Sequence, residues 1–204
     1  MKKDAGRITV VGIILFGVIA LLITAIPCGA QEWSRKNKAE IFGLGQSMSG
    51  DTTTGLGIEL EMDDITVGGF GLGFNLSENL NVYWDMFFGS TDFTGRNAGP
   101  TLRADTDLFG IDFNLDYNIL KSRFTPMITG GFGFINFSGT WLGGYTITIF
   151  DETDFSYNLG AGFRWDVTNH LLIKAIYRAT WTKLEDTDKS IQLDGVGVSI
   201  GYIF

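Results

Sequence analysis

Residues 155–182 read FSYNLGAGFRWDVTNHLLIKAIYRATWT. Phe155, Tyr157, Leu159, Ala161, Phe163, Trp165 and Val167 fall on every second position, with Ser156, Asn158, Gly160, Gly162, Arg164 and Asp166 between them. A period of two is the signature of a strand. After the polar turn Thr168-Asn169-His170 the alternation resumes, with Ile173, Ala175, Tyr177, Ala179 and Trp181 on one face and Lys174, Arg178, Thr180 and Thr182 on the other. The stretch is a β-hairpin whose strands are about twice the usual length.

Volume decides which face points inward. An eight-stranded barrel has an interior just wide enough for its own side chains. A full set of Phe, Trp, Tyr and Leu from every strand would not fit there, whereas the Gly, Ser and Asn face does. The bulky apolar face therefore turns outward into lipid and the small, polar and charged face turns inward, as in a transmembrane β-barrel.

The same alternation recurs along the chain. Phe70, Leu72, Phe74 and Leu76 alternate with Gly69, Gly71, Gly73 and Asn75, and Leu80, Val82, Trp84, Met86 and Phe88 with Asn81, Tyr83, Asp85 and Gly89. Phe109 to Ile119 alternates with Gly110, Asp112, Asn114, Asp116 and Asn118, and the next strand starts near Phe124. Pro126 lies close to its turn, where a missing ladder hydrogen bond costs least. Beyond Phe134 the phase breaks at Ile135 and Phe137, which implies a bulge or the emergence of the strand from the membrane. The last strand carries Val196, Val198, Ile200, Tyr202 and Phe204 against Gly195, Gly197, Ser199 and Gly201. A first strand is expected over residues 39–49, with Phe42 and Leu44 outward and Gly43 and Gly45 inward. The alternating segment 55–62 competes for that role, or extends the sheet above the membrane from within a long first loop.

Eight antiparallel strands result, in an all-β fold over residues 39–204. Short connections (77–79, 121–123, 168–170) alternate with longer ones (about 50–64, 91–103, 141–154, 184–189), as expected for periplasmic turns and external loops. Tyr117, Phe124 and Trp165, with Tyr202 and Phe204, form the expected inner aromatic girdle, and Phe155 and Trp181 belong to the outer one.

Residues 1–30 carry the features of a secretory signal peptide in helical form: Lys2, Lys3 and Arg7, an apolar run from Ile8 to Ile26, and then Pro27-Cys28-Gly29-Ala30. The 19-residue run also has the length of a membrane helix. Cleavage after Ala30 would leave residues 31–38 as a short periplasmic lead-in. It would also remove the single cysteine, and leave 12 basic and 22 acidic residues. So acidic a chain repels nucleic acid.

The leader, the eight amphipathic strands and the ending Val198-Ser199-Ile200-Gly201-Tyr202-Ile203-Phe204 together resemble the small outer-membrane β-barrel family that includes the OmpA transmembrane domain and OmpX. The resemblance implies a monomer in the bacterial outer membrane, in contact with lipopolysaccharide, and assembled by machinery that recognises the aromatic pair Tyr202 and Phe204. Ser199 departs from the glycine the family prefers there. No domain is expected after Phe204.

Asp85, Asp112, Asp116, Arg164, Lys174 and Arg178 share the inward face. In a narrow lumen such charges must be paired or hydrated, so they form either a salt-bridge plug or a gated path. His170, the only histidine, falls in a periplasmic turn, the wrong end for chemistry on the outer leaflet, and is expected to be an ordinary turn residue. Asp51, Glu59, Glu61, Asp63 and Asp64, with Asp151, Glu152 and Asp154, make two external loops acidic without the spacing of an EF-hand. No helix follows the glycine strings at 69–73 and 195–197, which excludes a nucleotide loop. The expected function is non-enzymatic, structural or surface-interacting, without metal or cofactor. A narrow channel or lateral conduit is the alternative, and a lipid-modifying enzyme comes third.

Overall fold

The computed structural model describes residues 33–50, 52–55, 58–96, 102–143, 146–183 and 190–204. The signal peptide expected over residues 1–30 lies outside this set, as do Gln31 and Asp51. The described strands are β1 (Ala39–Ser49), β2 (Thr52–Gly55), β3 (Ile58–Met62), β4 (Ile65–Asn75), β5 (Leu80–Arg96), β6 (Leu102–Asn118), β7 (Phe124–Gly143), β8 (Thr146–Asp166), β9 (Leu171–Lys183) and β10 (Ser190–Ile203). Setting aside β2 and β3, each strand pairs antiparallel with its neighbours in sequence, and β10 returns to β1 to complete an eight-stranded barrel. The closing register runs from Glu40 opposite Ile203 to Ser49 opposite Asp194, and the Phe204 amide donates to the Ala39 carbonyl at 2.9 Å.

The first strand is thus 39–49. The competing segment becomes the β2–β3 hairpin, whose second strand pairs with the far end of β5, from Glu59 opposite Arg96 to Met62 opposite Phe93. Turns 77–79, 121–123 and 168–170 are short, as expected. The connections expected at 91–103 and 141–154 are mostly strand instead: β5 continues to Arg96, β6 starts at Leu102, and β7 and β8 pair from Phe124–Trp165 up to Gly143–Thr146. Hydrogen bonding between the long hairpin arms satisfies the backbone here.

The phase of β1 is opposite to expectation. Phe42 faces the interior and is buried, Leu44 packs against the inner core, and Ile41, Gly43 and Gly45 face outward. The interior takes so large a ring because Phe42 stands between Gly71 and Gly201 on the flanking strands. A Cβ on Gly71 would meet the Phe42 ring, and one on Gly201 its Cβ.

Nor is there a bulge after Phe134. β7 keeps register with β6 and β8 through Ile135–Gly110, Asn136–Phe109 and Phe137–Leu108. What changes is the medium outside the wall. At and below the row Phe88, Phe109, Phe134 and Phe155, each about half exposed, bulky apolar groups face outward. Above it Asp92, Asp105, Asp107 and Thr153 face outward, while Phe93, Leu108, Ile135 and Phe137 turn inward. Lipid around the lower barrel demands an apolar exterior; water around the upper barrel demands an apolar core. The ten-residue step from Phe155 to Trp165 matches the 9–11 residues a tilted strand needs to cross the hydrocarbon.

Candidate functional site

The interior has two storeys. In the lower one, starting at the short-turn rim, side chains from five strands form a continuous ladder of charge. Asp166, at the end of β8, binds Arg164 of the same strand two residues away, Oδ1 to Nε at 2.8 Å. Arg164 Nη2 lies 2.9 Å from Glu40 Oε2 on β1, and Glu40 Oε1 accepts from Lys174 Nζ on β9 at 2.8 Å. Lys174 also donates to Asp116 of β6 at 3.0 Å and sits 4.6 Å above the Tyr83 ring. Tyr83, on β5, carries the ladder upward: its hydroxyl accepts from Arg178 Nη2 at 3.0 Å, and Arg178 faces Asp85 at 3.4 Å and Asp112 at 3.5 Å. Asn158 donates to Asp112 at 3.1 Å. These carboxylates and cations are all buried.

The structure therefore gathers all six anticipated lumen charges, Asp85, Asp112, Asp116, Arg164, Lys174 and Arg178. It adds Glu40, which the inverted phase of β1 had hidden, and Asp166, whose inward position was visible in the alternation. The space beside Tyr83, Asp85 and Arg178 is about 20 Å³, room for about one water. Above it the apolar storey closes the barrel, with Phe93 and Phe137 meeting edge to face at 6.1 Å.

A further member of the ladder comes from outside the sheet. Arg35, in the lead-in, is 1% exposed. Its Nη2 lies 2.9 Å from Asp166 Oδ2 and donates to the Ser122 carbonyl at 2.7 Å, and its Nη1 donates to the Glu78 carbonyl at 3.1 Å. Burial lowers the Arg35 pKa below the ordinary guanidinium value, while Asp166 works in the opposite direction. Burial also works against the Glu78 carboxylate, but hydrogen bonds from Ser34 and from the amides of Arg35 and Lys36 outweigh it and hold its pKa low. This link contributes stability above the ordinary glutamate pKa and loses it as pH falls through the depressed value.

The girdle residues point outward where expected. Phe124 stands opposite Trp165, Tyr117 lies at the same end of β6, and Phe155 and Trp181 lie toward the far end, Trp181 stacked on Tyr157 at 5.2 Å. Tyr202 and Phe204 lie edge to face at 5.1 Å, with Phe204 at the exposed tip. His170 is engaged locally: its ring stacks on Tyr202 at 5.3 Å and Nδ1 donates to the Ile203 carbonyl at 2.9 Å, tying the third short turn to the last strand.

At the long-hairpin rim, Asp63, Asp64 and Asp151 are exposed, while Glu61, Glu152 and Asp154 are half-buried. The side chain of Glu59 is outside the described residues. A pair not anticipated from the sequence joins them, because Asp92 on β5 stands opposite Asp105 on β6. Burial and then the Asp105 carboxylate raise the Asp92 pKa. A carboxyl whose pKa is raised by folding withdraws stability as pH climbs from its unfolded value to its folded one, and imposes no penalty below both. Asp105→Asn is expected to shift the Asp92 titration downward in a side-chain carboxyl NMR experiment; an unmoved curve would show that the two groups do not interact.

A family model described as outer membrane protein beta-barrel domain matches residues 16–204. Among solved structures, Neisserial surface protein A is 15% identical with a TM-score of 0.60, the alignment covering 81% of this chain and 97% of that one. OprG of Pseudomonas aeruginosa is 14% identical with a TM-score of 0.58, over 84% and 98% of the two chains. Ail, the attachment invasion locus protein of Yersinia pestis, is 14% identical with a TM-score of 0.55, over 83% and 99%. At these identities the likeness is one of fold. No match was found among curated proteins.

Proposed function

The chain belongs to the outer membrane protein β-barrel domain family, and on that premise we propose that it is a non-enzymatic envelope protein with a sealed lumen, acting through its exposed rim and its wall. The observation that carries this reading is the stacking of two unlike seals. A solute crossing the barrel would have to break the ion pairs of the lower storey and then pass a dry apolar one, where a charge or dipole finds no partner. A monomer suffices for both seals.

The rim suggests what the protein meets. In this orientation the short turns lie in the periplasm, and Asp92, Asp105, Asp107 and Asp151 lie just above the outer row of phenylalanines, at headgroup depth. Carboxylates there would share divalent cations with lipopolysaccharide phosphates, since hard cations take oxygen ligands. The exposed Phe204 and its neighbour Tyr202 suit recognition by the barrel assembly machinery. A conduit for apolar solutes has one observation in its favour, a groove of about 540 Å³ on the lipid side lined by Leu72, Phe74, Trp84, Phe113, Leu115 and Phe132. Its floor is the unbroken β4–β5–β6–β7 pairing, which argues against passage through the wall.

Planar-bilayer recording tests the sealed reading. The expected result is a flat trace at 100 mV in molar KCl. Reproducible unitary currents that change when Asp112 or Arg178 is neutralised would overturn it in favour of a channel.

A further inference from the structure

The lead-in departs from the rest of the chain in how it is held. Residues 33–38 form no strand, and two backbone hydrogen bonds, both with Asn75, tie their end to the sheet. Asn37, with a left-handed φ of 59°, turns the chain from this segment into β1, and its amide donates to the Asn75 carbonyl at 2.8 Å. Asparagine tolerates that conformation better than most residues. The Asn75 amide in turn donates to the Lys38 carbonyl at 2.9 Å; ahead of Asn37 the segment is anchored by side chains. Trp33 lies against the Arg35 guanidinium at 4.9 Å and that of Arg123 at 5.9 Å, and the Ser34 hydroxyl donates to Glu78.

The acceptors around Arg35 come from all three short turns or their flanks: the Glu78 carbonyl from the first, the Ser122 carbonyl from the second, and Asp166 just before the third. A guanidinium is a rigid planar fork of five donors, and here Nε, Nη1 and Nη2 each reach an oxygen, at 3.0, 3.1 and 2.7 Å. An ammonium, a point charge with three donors, does not match such a spread of acceptors. The second and third turns are also joined to each other, Arg123 Nη2 donating to Asn169 at 2.8 Å. The mouth therefore has the form of a socket.

We infer that the short-turn mouth is a guanidinium-binding site, filled in cis by Arg35, and that residues 33–38 are a seated stopper rather than an idle tail. With the stopper seated, Asp166 has a cation on each side and the bottom of the charge ladder is shut off from water. With it withdrawn, the lower storey hydrates while the apolar storey above stays closed, so the stopper controls the wetness and stability of the lumen and not flow through it.

The test uses the barrel purified from outer-membrane fractions and the heat-modifiability shift as readout. Arg35→Ala is expected to lower the unfolding midpoint by about 5–10 °C, the low end of the cost of breaking a buried ion pair, because Asp166 keeps Arg164. Methylguanidinium at millimolar concentration is expected to restore at least half of the loss, and methylammonium at the same concentration to restore none. An unchanged midpoint, no rescue, or equal rescue by both ions would overturn the inference. Should the variant fail to assemble, hydrogen exchange on the unmodified barrel still decides. The amides of residues 35 and 37 are expected to exchange about 100-fold more slowly than in a free chain, and exchange at the free-chain rate would refute a seated stopper.

Discussion

Arg164→Ala is expected to destabilise the barrel by about 3 kcal/mol, read as a lower urea midpoint for unfolding from lipid vesicles. Arg164 is the cation shared by Glu40 and Asp166, and both carboxylates are fully buried. Stranding buried charge typically costs about 3–5 kcal/mol. The low end applies because each carboxylate keeps a second cation, Lys174 for Glu40 and Arg35 for Asp166. The same arrangement makes the double variant informative. Arg35→Ala with Arg164→Ala leaves Asp166 without a cation, so its loss should exceed the sum of the single losses by about 1 kcal/mol or more. Strict additivity would mean that the ladder is a row of independent pairs.

Phe137→Ala is expected to cost about 3–5 kcal/mol, the usual range for truncating a buried phenylalanine in a packed core. Phe137 is fully buried and meets Phe93 edge to face. Phe134, three residues earlier on the same strand, faces outward and is 52% exposed. Phe134→Ala leaves no internal void and should cost less than half as much. Comparing the two variants in one lipid system checks the inversion of the wall directly: equal losses would show that the upper storey is not packed as a core.

Much of this was legible from periodicity alone. The closed volume of a slim barrel forces bulky groups outward wherever lipid surrounds it, so strand identity, the short turns, and which aromatic side chains point outward and which six charged ones point inward followed from every second residue. Two gaps share one cause, which is that alternation reports a face without saying what lies beyond it. Phe42 beside Gly43 and Gly45 looked lipid-facing, and only the pairing with Gly71 and Gly201 reveals the internal space that holds it; with that phase went Glu40. The reversal at Ile135 allowed either a bulge or emergence of the strand from the membrane; the unbroken register excludes the bulge, and the surroundings change instead. Asp92 and Asp105 were hidden because polar arms above the membrane have the composition of a loop. Arg35 carried no local signal, since nothing in Trp33-Ser34-Arg35 tells a docked segment from a solvated one.

The seam between β1 and β10 joins residues 40–49 to 194–203, nearly the full span of the described chain. A product truncated before β10 would hold two raw strand edges in hydrocarbon, where each unmet amide or carbonyl costs several kcal/mol. No shorter version of this cylinder is therefore tolerable in a bilayer: insertion has to be all or nothing, and premature stop codons late in the coding sequence should be as harmful as early ones.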